Sequence, residues 1–130
     1  MLLRPANPDL QYLRMQLHNW SQIEREQMNP HFARQVVHGD KVTVAKVYLV
    51  KGSSVARHSH ENEQICMLVE GKLRFIFDDR DFILEGGHVL QISGNEPHGV
   101  EALEDSVAFD LFSPVREDWI RGDDAYLRTV

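Results

Sequence analysis

The chain has 130 residues, of which 42% are hydrophobic and 26% are charged, and its formal net charge is -6. This size is typical of one domain, which can bury a core without disulfides or a structural metal. The Lys and Arg residues are scattered, so no basic stripe is available to neutralise nucleic-acid phosphates. An anionic small molecule is a compatible partner, because a metal or a nearby Arg can outweigh the global charge.

The single cysteine, Cys66, excludes an intramolecular disulfide and fits a reducing compartment. The N-terminal stretch MLLRPANPDLQYLRMQLHNW contains no apolar run long enough for a signal peptide or a membrane span. We therefore expect a cytoplasmic protein. Cys66 itself is interpreted as a small buried hydrophobe rather than as a nucleophile.

Residues 1–33 are predicted to form an N-terminal extension with one short helix. Ser21 and Glu24 have the spacing of a capping box, which predicts a helix from Ser21 to about Gln27. We expect this extension to pack across the rest of the domain or against a partner subunit.

Residues 34–113 are predicted to form an all-β barrel. Short β-type runs alternate with turn residues, and this spacing is typical of a sandwich or barrel rather than of βαβ units. The first hairpin is predicted to turn at Gly39-Asp40, and its second strand to span about 42–50. Further strands are predicted at 55–60, 64–70, 72–77, 81–84, 88–92, 98–102 and 106–112. Residues 114–130 are predicted to be a C-terminal segment that closes one end.

A group of polar residues around RHSHENEQ carries the strongest chemical signal. His58 and His60 are two positions apart, so they share one face of an extended strand. Gln64 follows on the predicted next strand with an amide oxygen, and His98 lies in GNEPHGVEA. Any one of these histidines alone is more often a hydrogen-bonded core residue. Their combination predicts one divalent transition metal ion, and the ligand types do not choose among Zn, Fe, Mn, Ni and Cu.

Two stretches resemble the motifs of the cupin superfamily. GSSVARHSHENEQICMLVEG is similar to the first cupin motif, and GGHVLQISGNEPHGVEA is similar to the second. The matching positions are Gly52, His58, His60 and Gly71 in the first motif, and Gly86 or Gly87, Gly94 and His98 in the second. The resemblance covers about residues 42–113 and implies a single small cupin barrel, a double-stranded β-helix or jelly roll. It says little about any one activity.

Gln64 departs from the superfamily pattern, which has Glu at this position. An amide ligand leaves the metal site more positive than a carboxylate would, which favours an anionic ligand. It also removes a base that dioxygenase-type cupins use beside the metal. In the second motif, Ser93 replaces the first Pro, and the final Asn is absent.

The stretches HSHENEQ and EALEDSVAFDLFSPVREDWI resemble a narrower group, the cupins related to the pectin-degradation protein KdgF. That enzyme converts 4,5-unsaturated uronates, the products of pectate and alginate lyases, into linear keto sugars. The resemblance implies a Gln metal ligand and a pocket lined by Asp110, Phe112 and Arg116. It also implies a homodimer.

These three residues have alternative interpretations on their own terms. Alternation in SVAFDLF places Asp110 and Phe112 on one face of a strand. A carboxylate among apolar neighbours is costly unless paired or functional, so Asp110 is either an ion-pair partner of an Arg or a pocket acid or base. Arg116 either clamps a substrate carboxylate through two hydrogen bonds or lies on the surface. Phe112 either walls the pocket or belongs to the core.

We therefore predict an enzyme that converts unsaturated uronates, in which Asp110 and Arg116 are catalytic and Phe112 and Arg116 bind the substrate. One alternative is a metal-dependent oxygenase, because other small cupins use three His with iron to activate O₂. Gln64 weighs against the versions that rely on Glu. A second alternative is a non-catalytic module that binds a sugar or another ligand.

Overall fold

The computed structural model describes residues 14–129, which fold into two packed antiparallel sheets. The strands are β1 (Glu26–Asn29), β2 (Phe32–His38), β3 (Thr43–Leu49), β4 (Ser54–His58), β5 (Glu63–Glu70), β6 (Lys72–Ile76), β7 (Asp81–Glu85), β8 (Val89–Ile92), β9 (His98–Ala102) and β10 (Ser106–Ser113). The helices are two 3-10 helices, Trp20–Gln22 and Ala125–Leu127, and α1 (Glu117–Ile120). Among the described helices, none has the length and apolar character needed to span a membrane.

The strand order confirms the predicted all-β barrel. One sheet has the order β1-β2-β3-β10-β5-β8, and the other has the order β4-β9-β6-β7. Strands distant in sequence are therefore neighbours, as in a jelly roll of two facing sheets. Each strand predicted within 42–112 lies within two residues of an observed one. The first hairpin turns where predicted, and the Gly39 amide donates to the Val42 carbonyl at 2.7 Å.

Alternating burial explains why these segments form strands. In β3, Thr43, Ala45, Val47 and Leu49 are buried, while the residues between them are half-buried. This period of two directs one face of the strand to the space between the sheets. Each large apolar side chain buried there contributes about 1.5–3 kcal/mol. Burial of this apolar face therefore determines which side chains point into the space between the two sheets.

The N-terminal helix is shorter than predicted. It is the 3-10 helix Trp20–Gln22, and Asn19 rather than Ser21 caps it, because the Asn19 side chain accepts from the Ser21 amide at 3.0 Å. The next residues form β1, whose Met28 is buried in the core. A single helical turn has little stability by itself. The residues after it therefore pair with β2 as a strand instead of extending the helix. The strands consequently begin at Glu26 rather than at residue 34.

The segment before β1 packs across the outer face of the six-stranded sheet, as expected. Gln35 Nε2 donates to the carbonyl oxygens of Trp20 at 2.7 Å and Ile23 at 2.9 Å. The rings of Trp20 and Phe109 lie 5.8 Å apart. The predicted helix is therefore reduced to one 3-10 turn within a segment that lies across the sheet.

The C-terminal segment, residues 114–129, packs over one end of the barrel. Trp119 and Leu127 are buried in the core. A buried ion pair joins Arg34 of β2 to Asp124, and Asn29 Nδ2 donates to the Leu127 carbonyl at 3.2 Å. The segment is thus tied to β1 and β2, and it faces the cavity between the sheets.

Candidate metal centre

The histidines of the predicted metal site come together at the mouth of the barrel. The nitrogen atoms that His58, His60 and His98 offer lie within 4.8 Å of one another. His58 ends β4 and pairs directly with His98, the first residue of β9. His60 lies beyond the strand, just before a bend at residues 61–62, whereas the sequence predicted a strand through residue 60. The path of the chain after β4, rather than strand alternation, brings His60 to its partners.

One turn holds this segment in place. The Asn95 amide, in the turn at Gly94-Asn95, donates to the His60 carbonyl at 2.7 Å. A Cβ atom on Gly94 would clash with the Glu61 carbonyl oxygen. A side chain at this position would therefore push the turn away from the segment of His60, so glycine is required for the close approach.

Backbone carbonyl groups fix the orientation of all three rings. Each Nδ1 donates to the carbonyl oxygen of a residue two positions away: His58 to Ala56 at 2.8 Å, His60 to Asn62 at 3.0 Å, and His98 to Glu96 at 2.8 Å. Because a carbonyl oxygen only accepts, each Nδ1 carries the proton and each Nε2 keeps its lone pair. Metal-binding histidines are oriented by such outer hydrogen bonds.

The electrostatics of the cluster keep the imidazoles neutral. Burial lowers the pKa of His58 and the pKa of His60 to about 4, although the hydrogen bonds to carbonyl groups oppose this shift. Burial also lowers the pKa of His98. Neutral imidazole is the form that binds a metal ion, so the cluster is ready to do so at neutral pH.

Gln64 supplies the oxygen donor and fits the same centre. Its Nε2 donates to Asp110 Oδ1 at 3.1 Å, which turns Oε1 towards His60 Nε2 at 3.2 Å. When Nε2 of His60 is unprotonated, two acceptors face each other across this short distance. A cation between them would relieve that repulsion, so the donor set fits a divalent transition metal with three nitrogen ligands and one oxygen ligand.

Asp110 lies behind Gln64 and faces the cavity. It pairs across the sheet with Cys66, and its side chain bonds to Gln64 and Cys66 rather than to an arginine. Burial raises the pKa of Asp110 to about 6, against the opposing effect of those hydrogen bonds. Burial also raises the pKa of the Cys66 thiol, which is 1% exposed. Cys66 is therefore a buried thiol, as the sequence suggested.

A cavity of about 60 Å³ lies between the sheets and opens past the histidines. Its lining includes His58, Gln64, His98 and Asp110 on the barrel side, and Arg116 and Tyr126 on the side of the C-terminal segment. Phe112 is 2% exposed and its ring lies 5.6 Å from that of His60, so it belongs to the core and also walls the cavity.

Arg116 is buried, with 1% exposure, rather than on the surface. Its Nε and Nη2 donate to the two carboxylate oxygens of Asp118 at 3.0 and 2.8 Å. The guanidinium also lies 4.6 Å from the Phe112 ring centroid. Burial opposes ionisation, but Asp118 raises the pKa of Arg116, which stays charged. Asp118 therefore occupies the pair of guanidinium N–H groups that the sequence suggested for a substrate carboxylate.

Sequence reasoning missed two residues that complete the site. The Tyr126 ring lies 4.8 Å from the His58 ring, and the Tyr126 hydroxyl accepts from Arg116 Nη2 at 2.7 Å. Asn62 is 3% exposed and donates through Nδ2 to the Pro114 carbonyl, while its own carbonyl holds His60. Asn62 lies within HSHENEQ, but no role was assigned to it there, and Tyr126 stands in no motif, so the aromatic composition of the tail was the only signal for Tyr126.

Three histidines and a glutamine thus converge at the mouth of a small two-sheet β-barrel, where they form a candidate metal site. The family model described as "Cupin domain" matches residues 45–113, and the chain belongs to this family. Comparison with curated protein sequences gave no match.

Solved structures agree with this assignment. An RmlC-like cupin from Shewanella frigidimarina superposes with a TM-score of 0.75 and 24% identity, covering 81% of this chain and 96% of that one. KdgF from Halomonas sp. has a TM-score of 0.71 and 27% identity, covering 76% of this chain and 94% of that one. An RmlC-like cupin from Desulfovibrio desulfuricans has a TM-score of 0.62 and 27% identity, with coverages of 77% and 97%.

Proposed function

We propose that this cupin is a metal-dependent enzyme that opens the ring of a 4,5-unsaturated uronate and yields a linear keto sugar. The observation that carries the proposal is the hydrogen bond between Gln64 and Asp110, since it sets a carboxyl group beside the metal ligands and facing the cavity. The similarity to KdgF from Halomonas sp., at 27% identity, supports the same choice. The bound metal would supply Lewis-acid polarisation of the substrate carboxylate and a neighbouring oxygen.

Asp110 is the acid and base of the proposed reaction. It accepts the proton of the hydroxyl group on ring carbon 1, and the bond between carbon 1 and the ring oxygen breaks to give an aldehyde and an enolate. Asp110 then returns the proton to carbon 4, which leaves a ketone at carbon 5. The reaction is an isomerisation, so atoms and electrons balance without a co-reactant. Such proton transfer contributes about 10²–10⁴-fold in rate.

Arg116 and Phe112 position the substrate. Because Asp118 holds Nε and Nη2 of Arg116, the substrate carboxylate would bind Nη1, which has no hydrogen-bond partner within residues 14–129. Phe112 forms the apolar wall beside the sugar ring. One charge-assisted hydrogen bond replaces the two that the sequence suggested.

The test is turnover of lyase-generated 4,5-unsaturated galacturonate, followed as loss of the ultraviolet absorbance of its conjugated double bond. We expect metal-loaded protein to exceed free metal in buffer, His58→Ala to abolish the activity, and Asp110→Asn to lower kcat by about 10²–10⁴-fold with metal content near normal. Asp78→Asn, at an exposed ion pair with Arg57, is the matched control. Loss of metal in Asp110→Asn would instead make Asp110 a structural residue.

The cavity size favours one second candidate, a metal-dependent oxygenase with a smaller substrate. The cavity of about 60 Å³ is small, so a sugar ring would extend from it into the mouth, whereas a smaller molecule would fit inside. Uptake of O₂ by iron-loaded protein with a small organic acid, and no turnover of the uronate, would favour this second candidate.

We also propose a homodimer formed through the outer face of the six-stranded sheet. The register aligns Val44, Leu111 and Ile65 across three strands, and Val69 and Val89 are 53% and 65% exposed on the same sheet. Contiguous apolar surface of this kind marks interaction sites. The molecular mass in solution, with Val89→Glu expected to shift it to that of the monomer, tests the assembly.

A further inference from the structure

We infer that Tyr126 is a further catalytic residue, whose hydroxyl donates a hydrogen bond to the substrate oxygen that becomes the enolate. This inference rests on the proposed function. The donor belongs to the C-terminal segment, whereas the metal ligands and Asp110 belong to the barrel. The two walls of the cavity would therefore contribute different groups to the same reaction.

The Tyr126 hydroxyl oxygen receives two hydrogen bonds. It accepts from Arg116 Nη2 at 2.7 Å and from Trp119 Nε1 at 3.4 Å. Both nitrogen atoms are donors only, so they occupy the acceptor capacity of the oxygen. The hydroxyl proton has no acceptor within residues 14–129. A half-buried hydroxyl group whose proton has no acceptor can donate a hydrogen bond to a bound ligand.

The position of the Tyr126 ring places its hydroxyl group beside the candidate metal site. Tyr126 lines the cavity, and its ring lies against His58 at 4.8 Å between centroids. Arg116 is itself fixed by two hydrogen bonds to Asp118. The hydroxyl is thus held before a substrate arrives, which is the condition under which a donor stabilises developing negative charge. The proton stays on Tyr126, so the transfer between carbon 1 and carbon 4 is unchanged.

The chain offers a matched pair of variants. Tyr126→Phe removes the hydroxyl and keeps the ring that packs on His58. Tyr48→Phe removes a hydroxyl that donates to Gln35 Oε1 at 2.7 Å, outside the cavity. We expect Tyr126→Phe to lower kcat on unsaturated galacturonate by about 10²-fold, with KM raised by no more than about 5-fold and metal content unchanged. Tyr48→Phe should leave kcat and KM as in the wild type.

Binding of saturated galacturonate to Zn²⁺-loaded protein, measured by calorimetry, separates this inference from the proposed function. We expect Tyr126→Phe to weaken binding by about 5-fold, the effect of one hydrogen bond. Wild-type binding with this loss but without turnover of the unsaturated sugar would overturn the proposed reaction and retain Tyr126 as a ligand donor. Equal turnover and equal binding in Tyr126→Phe would overturn the inference alone. A wild type with neither turnover nor binding would overturn both.

Discussion

The two walls of the cavity are built by different means. On the barrel wall, His58 and His98 are paired residues of neighbouring strands, and backbone carbonyl groups hold their rings. The opposite wall, residues 114–129, contains only the short α1 helix and a 3-10 helix. Side-chain contacts hold it, above all the buried ion pair between Arg34 and Asp124. Strand register thus positions His58 and His98 on the barrel wall. A network of polar side chains positions the C-terminal segment.

Because the two walls are held differently, we expect the barrel wall to set metal binding and the C-terminal segment to set substrate choice. A one-residue change of strand register would reverse the inward and outward faces of a strand, so the candidate ligands that lie on strands, His58, Gln64 and His98, are fixed with the fold. A side-chain network can be altered without changing the sheets. Arg116, Trp119 and Tyr126 all belong to the segment, and the Trp119 ring lies between the guanidinium groups of Arg34 and Arg116 at 4.5 and 4.2 Å. We therefore expect the segment to control substrate choice.

The largest effect is expected on the barrel wall. His98→Ala removes one of the three candidate nitrogen ligands, a residue that is 1% exposed. We expect metal affinity to fall by about 10³-fold or more, because even changes in the groups that support metal ligands cost about 10–100-fold. Titration with Zn²⁺ by calorimetry measures this. His88→Ala, at a turn where His88 Nδ1 accepts from the Glu85 amide, is the control. Unchanged affinity in His98→Ala would show that the cluster is not the metal site.

A smaller effect is expected at the ion pair behind the segment. Asp124→Asn leaves Arg34 buried with a neutral partner, and we expect the free energy of unfolding to fall by about 3 kcal/mol at neutral pH. Metal affinity should change by less than about threefold, since the ligands are held by the barrel. Chemical denaturation and Zn²⁺ titration measure the two quantities. A loss of metal affinity alongside the loss of stability would mean that the C-terminal segment also positions the candidate metal ligands.

The same variant has an expected pH dependence. Burial opposes it, but hydrogen bonds from Arg128 and Arg34 lower the pKa of Asp124. A carboxyl whose pKa is lower in the folded state stabilises the protein above its unfolded pKa of about 3.9, and this contribution is lost as the pH falls through the folded pKa. The stability difference between wild type and Asp124→Asn should therefore be constant near neutral pH and narrow below about pH 4. A difference that stays constant down to pH 2 would contradict this explanation.

The smallest effect is expected where the two walls meet. Asn62→Ala removes the donor to the Pro114 carbonyl but keeps the backbone carbonyl that holds His60. We expect a loss of about 1–2 kcal/mol in stability, from a carbonyl group left without its donor, and little change in metal affinity. Gln91→Ala, at an exposed hydrogen bond to Glu63, is the control. A tenfold loss of metal affinity in Asn62→Ala would mean that the segment also sets the metal geometry.

Sequence patterns predicted the barrel and the grouping of three histidines well, for local reasons. Period-two burial specifies strands, and turn residues separate them, so segments such as β5 and β10 were predicted almost to their ends. The ligand group was found from the spacing of His58 and His60 and the later His98. The N-terminal helix was predicted at too great a length, because a capping pattern does not reveal that Met28 finds a place in the core. The catalytic roles of Asp110 and Arg116 stay predictions.

The family of the fold, the faces of the strands and the set of candidate metal ligands could be read from the amino-acid sequence, because they follow from short-range periodicity and motif spacing. Three contacts became apparent only in the folded chain: Asp118 binds the guanidinium of Arg116, Asp110 orients Gln64, and Tyr126 lies beside His58. These contacts join residues whose relation leaves no periodic signal in the chain. Their geometry arises when the C-terminal segment closes over the barrel, and that packing is a property of the whole fold.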